Sequence, residues 1–269
     1  MKTKKVKSRK KQPRPARPQD TRAVIYIIGE AANVAEYARI CSVHGYNVFY
    51  HCPGSSEPAP SLESGTAKDE PRVPANASFA LELTNVDLDQ KRRNLEMLDR
   101  ALPSTTAIVS SSVTVTATEQ ASWMRHKLRL VGCSALPTFA DKPLIEIAPT
   151  VFSPAATVQV VQTFFRSIGK EIELVQDRIG MVFPRILCQM INEAAFALQE
   201  EIAQPQDLDQ AMVVAAGFPL GPIAWAEKIG LRQVYAVLKS LHRDLGEDRT
   251  RVAPLLTQMV LSGTWWKRT

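Results

Sequence analysis

The stretch "AVIYIIGEAANVAEYARICSVHGYNVFYHC", Ala23 to Cys52, limits the fold more than any other part of the chain. Ala23–Ile28 is an uninterrupted apolar run, the kind of strand that a parallel sheet buries on both faces. Gly29 follows as a turn, and Val34, Tyr37, Ala38 and Cys41 then recur at helical spacing. Gly45 ends that helix before a second strand, "YNVFYHC". Strand, turn, helix and strand in this order open a dinucleotide-binding unit, whose glycines let the backbone approach a pyrophosphate. Here Ala31 and Val34 stand where such glycines are expected, and Glu30 adds a negative charge beside any phosphate. The remaining single glycine is a weak motif by itself.

Downstream, residues 53–77 are rich in Pro, Ser and Gly and read as a long loop or linker. A third strand is expected at Ser78–Leu83 and a helix from about Asp87 to Leu102. "TAIVSSS", "LRLVGC", "PLIEIAP" and "EIELVQ" read as further short strands, with helices near Thr116–Met124 and over Ala155–Ile168. This alternation predicts a doubly wound α/β sheet of Rossmann type, in a trimmed form. After Asp177 the pattern is helical only: Arg185–Ile202, a helix after Pro205, and helices near Ile223–Ile229, Leu231–Leu245 and Ala253–Ser262. Acids Asp207 and Asp209 fall in a first helical turn, where the helix dipole favours them. Three segments follow: a tail over 1–22, a Rossmann-like domain over 23–177 and a helical domain over 178–269.

Charge is unevenly placed. Residues 1–22 hold ten of the 33 lysines and arginines and one of the 27 acids, so the remainder carries 23 basic and 26 acidic residues. The tail has three prolines and almost no apolar side chain, which predicts disorder. It suits a solvated segment, or one that attaches to nucleic acid or an anionic surface. No apolar run reaches the ~20 residues of a membrane span, and the N-terminus lacks the apolar core of a signal peptide, so a cytoplasmic protein is expected. Cys41, Cys52, Cys133 and Cys188 are dispersed, which predicts reduced, packed thiols and no metal site.

"DRIGMVFPRILCQMINEAAFALQEEIAQPQDLDQAMVVAAGFPLGPIAWAEKIGL", Asp177–Leu231, resembles the C-terminal domain of the L-3-hydroxyacyl-CoA dehydrogenases. The residues that carry the likeness are D-x-x-G-(apolar)₃-x-R, Asn192-Glu193-Ala194, Asp207-x-Asp209-x-Ala211-Met212, Gly217-x-Pro219-x-Gly221-Pro222 and Ile229-Gly230-Leu231, in the family's order. "SFALELTNVDLDQKRRNLEMLD" is similar to the family's nucleotide-side stretch. The resemblance implies an NAD-binding domain and a helical domain that supplies dimer contacts and part of an acyl-CoA cleft. It implies oxidation of a 3-hydroxyacyl-CoA, with a histidine as base, a glutamate that orients it, and a serine and an asparagine that hold substrate.

Carried over residue by residue, that pattern has gaps. The family's histidine falls at Ser134, while its glutamate is kept as Glu146. The serine falls at Val113 and the asparagine at Pro184. On the nucleotide side Gly29 is kept, the next two glycines fall at Ala31 and Val34, and the ribose-binding acid falls at Cys52. A further glutamate falls at Val86, although the lysine five residues on is kept as Lys91. Glu146 and Ser134 are therefore the candidate catalytic positions, and Gly29 and Lys91 the residual candidates for holding NAD. The segment over 53–77 is shorter than the family's helical segment there, and the chain ends at "SGTWWKRT", where Trp265 and Trp266 either cap the helical core or form a partner patch. The expected function is a catalytically impaired homologue that binds acyl-CoA or dimerises with itself or a related dehydrogenase. The alternatives are an active NAD-dependent dehydrogenase with unconventional catalytic groups, and a scaffold whose basic tail binds nucleic acid or an anionic surface.

Overall fold

In the computed structural model, residues 22–54 and 67–264 are described. The basic tail before them and the pair Trp265 and Trp266 after them lie outside the described residues. The opening unit forms as its pattern dictates: β1 (Val24–Gly29), α1 (Ala31–Val43) and β2 (Asn47–His51). Then follow β3 (Ala67–Asp69), β4 (Phe79–Leu83), α2 (Leu88–Ala101), β5 (Ala107–Ser111), α3 (Ala117–Ser122), β6 (Leu130–Cys133), β7 (Leu144–Pro149), α4 (Ala155–Ser167) and β8 (Glu171–Leu174). The strands form one sheet in the order β3-β2-β1-β4-β5-β6-β7-β8.

Two features of the sheet differ from the reading of the sequence. The segment taken as a loop over 53–77 contains β3, which pairs in parallel with β2. It is anchored where the Tyr26 hydroxyl donates to the Glu70 carbonyl at 3.1 Å. Three polar-flanked residues carry too little pattern to announce a strand, and pairing with an existing edge supplies the order. The strand β7 runs antiparallel to β6 and parallel to β8, a reversal that short apolar runs do not encode.

Alternation along the central strands supplies both faces. Ile25, Ile27, Leu81 and Val109 pack with Val34 of α1 and Phe164 of α4. Tyr26, Ile28, Ala80 and Ile108 pack on the other face with Leu95 of α2 and Ala121 of α3. Val34, the branched residue at a glycine position, is wholly buried in this packing. Gly29 has φ +146°, and a Cβ there would lie 2.6 Å from the backbone carbon of Leu83. The contact between the ends of β1 and β4 thus requires this glycine, whatever ligand the turn faces.

The helical domain comprises α5 (Phe183–Gln199), α6 (Pro205–Val214), α7 (Pro222–Ile229), α8 (Leu231–Leu245) and α9 (Pro254–Ser262). Its core includes Ile191, Trp225, Val234 and Leu238, and it also takes in Val113, Leu136 and Phe139 from the sheet domain. The two domains therefore share one apolar seam. The acid-and-glycine motif of this domain is explained by a cap. Asp209 accepts from the Ile223 and Ala224 amides at 2.8 and 3.0 Å, the first turn of α7. A Cβ on Gly221 would overlap the Asp209 side chain and backbone. Gly221→Ala is expected to cost about 2 kcal/mol or more, read as a lowered urea midpoint. An unchanged midpoint would show that the cap is dispensable.

Candidate functional site

In an open sheet whose strand order reverses, ligands bind in the crevice beyond the strand ends at the point of reversal. Here that point lies between β1 and β4. A cleft of about 350 Å³ opens there, lined by Gly29, Glu30, Ala31, Thr84, Val86, Asp87 and Gln90, by Pro53 and Gly54 beyond β2, and by Arg232 and Gln233 of α8.

Glu30 governs the chemistry of this cleft. It is the N-cap residue of α1 but makes no side-chain cap. Its carboxylate instead crosses from the end of β1 to the loop after β4. There Oε1 accepts from the Asn85 amide at 3.1 Å and the Val86 amide at 2.7 Å. The other oxygen accepts from the Gln233 side-chain amide. Gln233 in turn accepts from Asn85 Nδ2 at 3.0 Å, and the same Nδ2 donates to the Ala135 carbonyl at 2.9 Å. The Asn85 carbonyl accepts from the Thr114 hydroxyl at 2.9 Å. Burial raises the Glu30 carboxyl above its ordinary value, opposed by its hydrogen bonds to Val86, Gln233 and Asn85.

Several of these groups are already engaged within the chain. The amides of Asn85 and Val86 are already taken by a carboxylate of this chain, and Asp87 adds a second acid to the lining. Cys52, at the ribose-acid position, has its thiol pushed up to about 11 by burial and then by the Asp69 charge. It is neutral at pH 7 and offers no carboxylate for ribose hydroxyls. Gly29 is retained in the turn, and its closeness to Leu83 accounts for it. Lys91 does not line the cleft. It is fully buried, with Nζ donating to the Glu82 carboxylate and, at 2.7 Å, to the Thr84 carbonyl.

The positions assigned to catalysis come together at the domain seam and are closed off. Ser134 is 5 % exposed, and its hydroxyl oxygen accepts from the Glu146 amide at 3.2 Å. The Glu146 carboxylate turns to the helical domain, accepting from the Val182 amide at 2.8 Å and the Phe183 amide at 2.7 Å. It thereby satisfies donors at the start of α5, which have no carbonyl partner inside the helix. Val113 is fully buried in the seam, and its carbonyl accepts from the Gly180 amide at 3.1 Å. Pro184 is buried in the first turn of α5, where a proline is tolerated. Phe139 stacks on Phe183 at 5.0 Å between centroids, beside Trp225.

The four histidines each have a partner elsewhere in the fold. His44 bonds the Ile40 carbonyl, His51 meets Asp69, His126 meets Asp99, and His242 meets the Thr250 hydroxyl. Among the described residues no group of acids, histidines and cysteines is placed to hold a metal ion. Glu146→Ala is expected to cost about 1–2 kcal/mol by stranding two part-buried amides, and Glu146→Gln less, because one acceptor survives. Denaturant unfolding of both variants checks this, and equal stability of all three proteins would deny the capping role.

The charge of Glu30 is legible in the sequence, but its partners Gln233 and Asn85 are not. Gln233 lies 203 residues from Glu30, so no local signal joins them. Asp177 was visible as the first residue of a motif. The structure shows it accepting from the Ala117 and Thr118 amides at 2.7 Å, a second carboxylate that ties the domains through a helix start.

Comparison with known proteins yields two matches along the chain. Residues 52–178 match the family model described as 3-hydroxyacyl-CoA dehydrogenase, NAD binding domain. Residues 180–269 match that of the 3-hydroxyacyl-CoA dehydrogenase C-terminal domain. A probable 3-hydroxybutyryl-CoA dehydrogenase of Bacillus subtilis is 28 % identical over 193 residues, 72 % of this chain and 67 % of that protein. A 3-hydroxybutyryl-CoA dehydrogenase of Clostridioides difficile is 27 % identical over 189 residues, 70 % and 67 % of the two chains. The crystal structure of (S)-3-hydroxybutyryl-CoA dehydrogenase PaaH1 from Ralstonia eutropha superposes with a TM-score of 0.75 at 22 % identity, over 92 % of this chain and all of that one. At that identity the likeness establishes the fold.

Proposed function

Because the chain belongs to the 3-hydroxyacyl-CoA dehydrogenase family, we propose that it keeps the family's two-domain scaffold for binding or assembly and turns over 3-hydroxyacyl thioesters poorly or not at all. One observation carries this reading: Glu146 spends both carboxylate oxygens on the start of α5, beside a serine that has no base to activate it. A general base needs a pKa near the working pH and reach to its proton, and Ser134 has neither. The binding role is to hold an acyl-CoA or to pair with a second copy or a related dehydrogenase. Exposed Val182, Phe183 and Ile186 on α5 and Val213, Val214 and Phe218 around the end of α6 supply apolar surface for such pairing. No helix among the described residues is long and apolar enough to cross a membrane.

A second reading is an active NAD-dependent 3-hydroxyacyl-CoA dehydrogenase. The comparisons support it better than they support impairment, since both family models match and the relatives bear that activity in their names. Calorimetric titration of the full chain with NAD and with acetoacetyl-CoA, beside sedimentation for its oligomeric state, separates the two. Saturable NAD binding, together with NADH-dependent reduction of the 3-oxo group of acetoacetyl-CoA, would establish the second. Acyl-CoA retention or a stable dimer without turnover supports the first, and absence of both removes it.

A further inference from the structure

We propose that Glu30 is a built-in anion: its carboxylate bridges from the end of β1 to the loop after β4, across the switch point of the sheet where a phosphorylated ligand would lie, and latches α8 across the crevice. The strand order places this crevice between the ends of β1 and β4, and Glu30 is the residue that spans it. Free backbone amides beside a turn form an anion site, and here those of Asn85 and Val86 face a carboxylate supplied by the chain. Gln233 closes over the far oxygen and is itself held by Asn85, so the helical domain takes part in the closure. The charges around the carboxylate disfavour a further anion. Asp87 shares the lining and Glu82 lies behind it, whereas Lys91 is committed to Glu82 and Arg232 is the cation that lines the cleft. A pyrophosphate entering this crevice would have to displace Glu30 and then sit beside two carboxylates. The inference does not depend on the reading of Ser134, because it concerns the other end of the cleft.

The test uses the full chain and ADP-ribose, which carries a pyrophosphate but no reducible ring. Wild type, Glu30→Ala and Glu30→Gln are titrated at fixed salt by calorimetry. Removing the side chain is expected to tighten ADP-ribose binding at least tenfold, with the glutamine variant in between. Equal affinity in wild type and Glu30→Ala overturns the proposal, and so does absence of binding in all three. Amide exchange is the second readout. In Glu30→Ala, exchange at Asn85, Val86 and the start of α8 is expected to accelerate at least tenfold while the amides of Ile25–Ile27 hold. Unchanged exchange at Asn85 and Val86 overturns it. If the alanine variant does not fold, Gln233→Ala opens the latch from the other side and is read in the same way. Acyl-CoA turnover by the wild type would overturn the proposed function alone, because these readouts contain no chemical step.

Discussion

Purified protein mixed with NADH and acetoacetyl-CoA is expected to consume NADH at least ~10²-fold more slowly than an authentic family enzyme, since a missing general base typically costs ~10²–10⁴ in rate. That range corresponds to roughly 3–5 kcal/mol of transition-state stabilisation. Ser134→His alone is expected to restore little. The new imidazole would enter a position that is only 5 % exposed. It would also find the Glu146 carboxylate already bonded to the Val182 and Phe183 amides. An imidazole whose orienting carboxylate is engaged elsewhere has neither its tautomer nor its direction fixed. The outcome that would sink this view is NADH consumption within tenfold of an authentic enzyme that disappears in Glu146→Gln. Such a result would place Glu146 in the chemistry and make the active-dehydrogenase reading correct.

The second large effect is expected at Lys91. Its side chain and that of Glu82 are both completely buried. Glu82 also accepts from the Ser110 hydroxyl at 2.9 Å, Asn94 Nδ2 at 3.2 Å and the Thr84 amide at 3.1 Å. Lys91→Met removes one charge and leaves the other stranded, which costs about 3–5 kcal/mol at a buried pair. Adding Glu82→Gln to Lys91→Met should recover most of that loss, because the remaining groups are neutral and hydrogen-bonded. Urea unfolding of the two single variants and the double variant measures the coupling. A loss below 1 kcal/mol in Lys91→Met, accompanied by a change in ligand affinity, would instead return Lys91 to the cleft.

Motif residues of this chain are also held by the fold itself. The glycine at position 29, the acid–glycine pair Asp209 and Gly221, and the carboxylates Glu146 and Asp177 all have backbone partners in this structure. A carboxylate that accepts from helix-start amides leaves no side-chain partner to find in the sequence, because every residue except proline has an amide. The residues therefore kept the appearance of site residues, and only the donors on the other side show what they do.

Local patterns were enough for the elements. Apolar alternation and runs, helical spacing and the Gly/Pro breaks placed most strands and helices to within a few residues. These signals are local, since each depends on a strand or helix burying one face or both. The residues that stand at the positions the resemblance assigns to a site, Ser134, Val113, Pro184 and Cys52, were legible too. Strand β3 and the reversed β7 were not, because their order comes from a neighbouring strand rather than from their own residues. The closed cleft was decided only in three dimensions. Glu30, Asn85 and Gln233 are separated by up to 203 positions and meet because the sheet brings β1 beside β4 and the shared apolar seam lays α8 across their ends. A side chain's periodicity reports which face it occupies, and packing alone determines what that face meets.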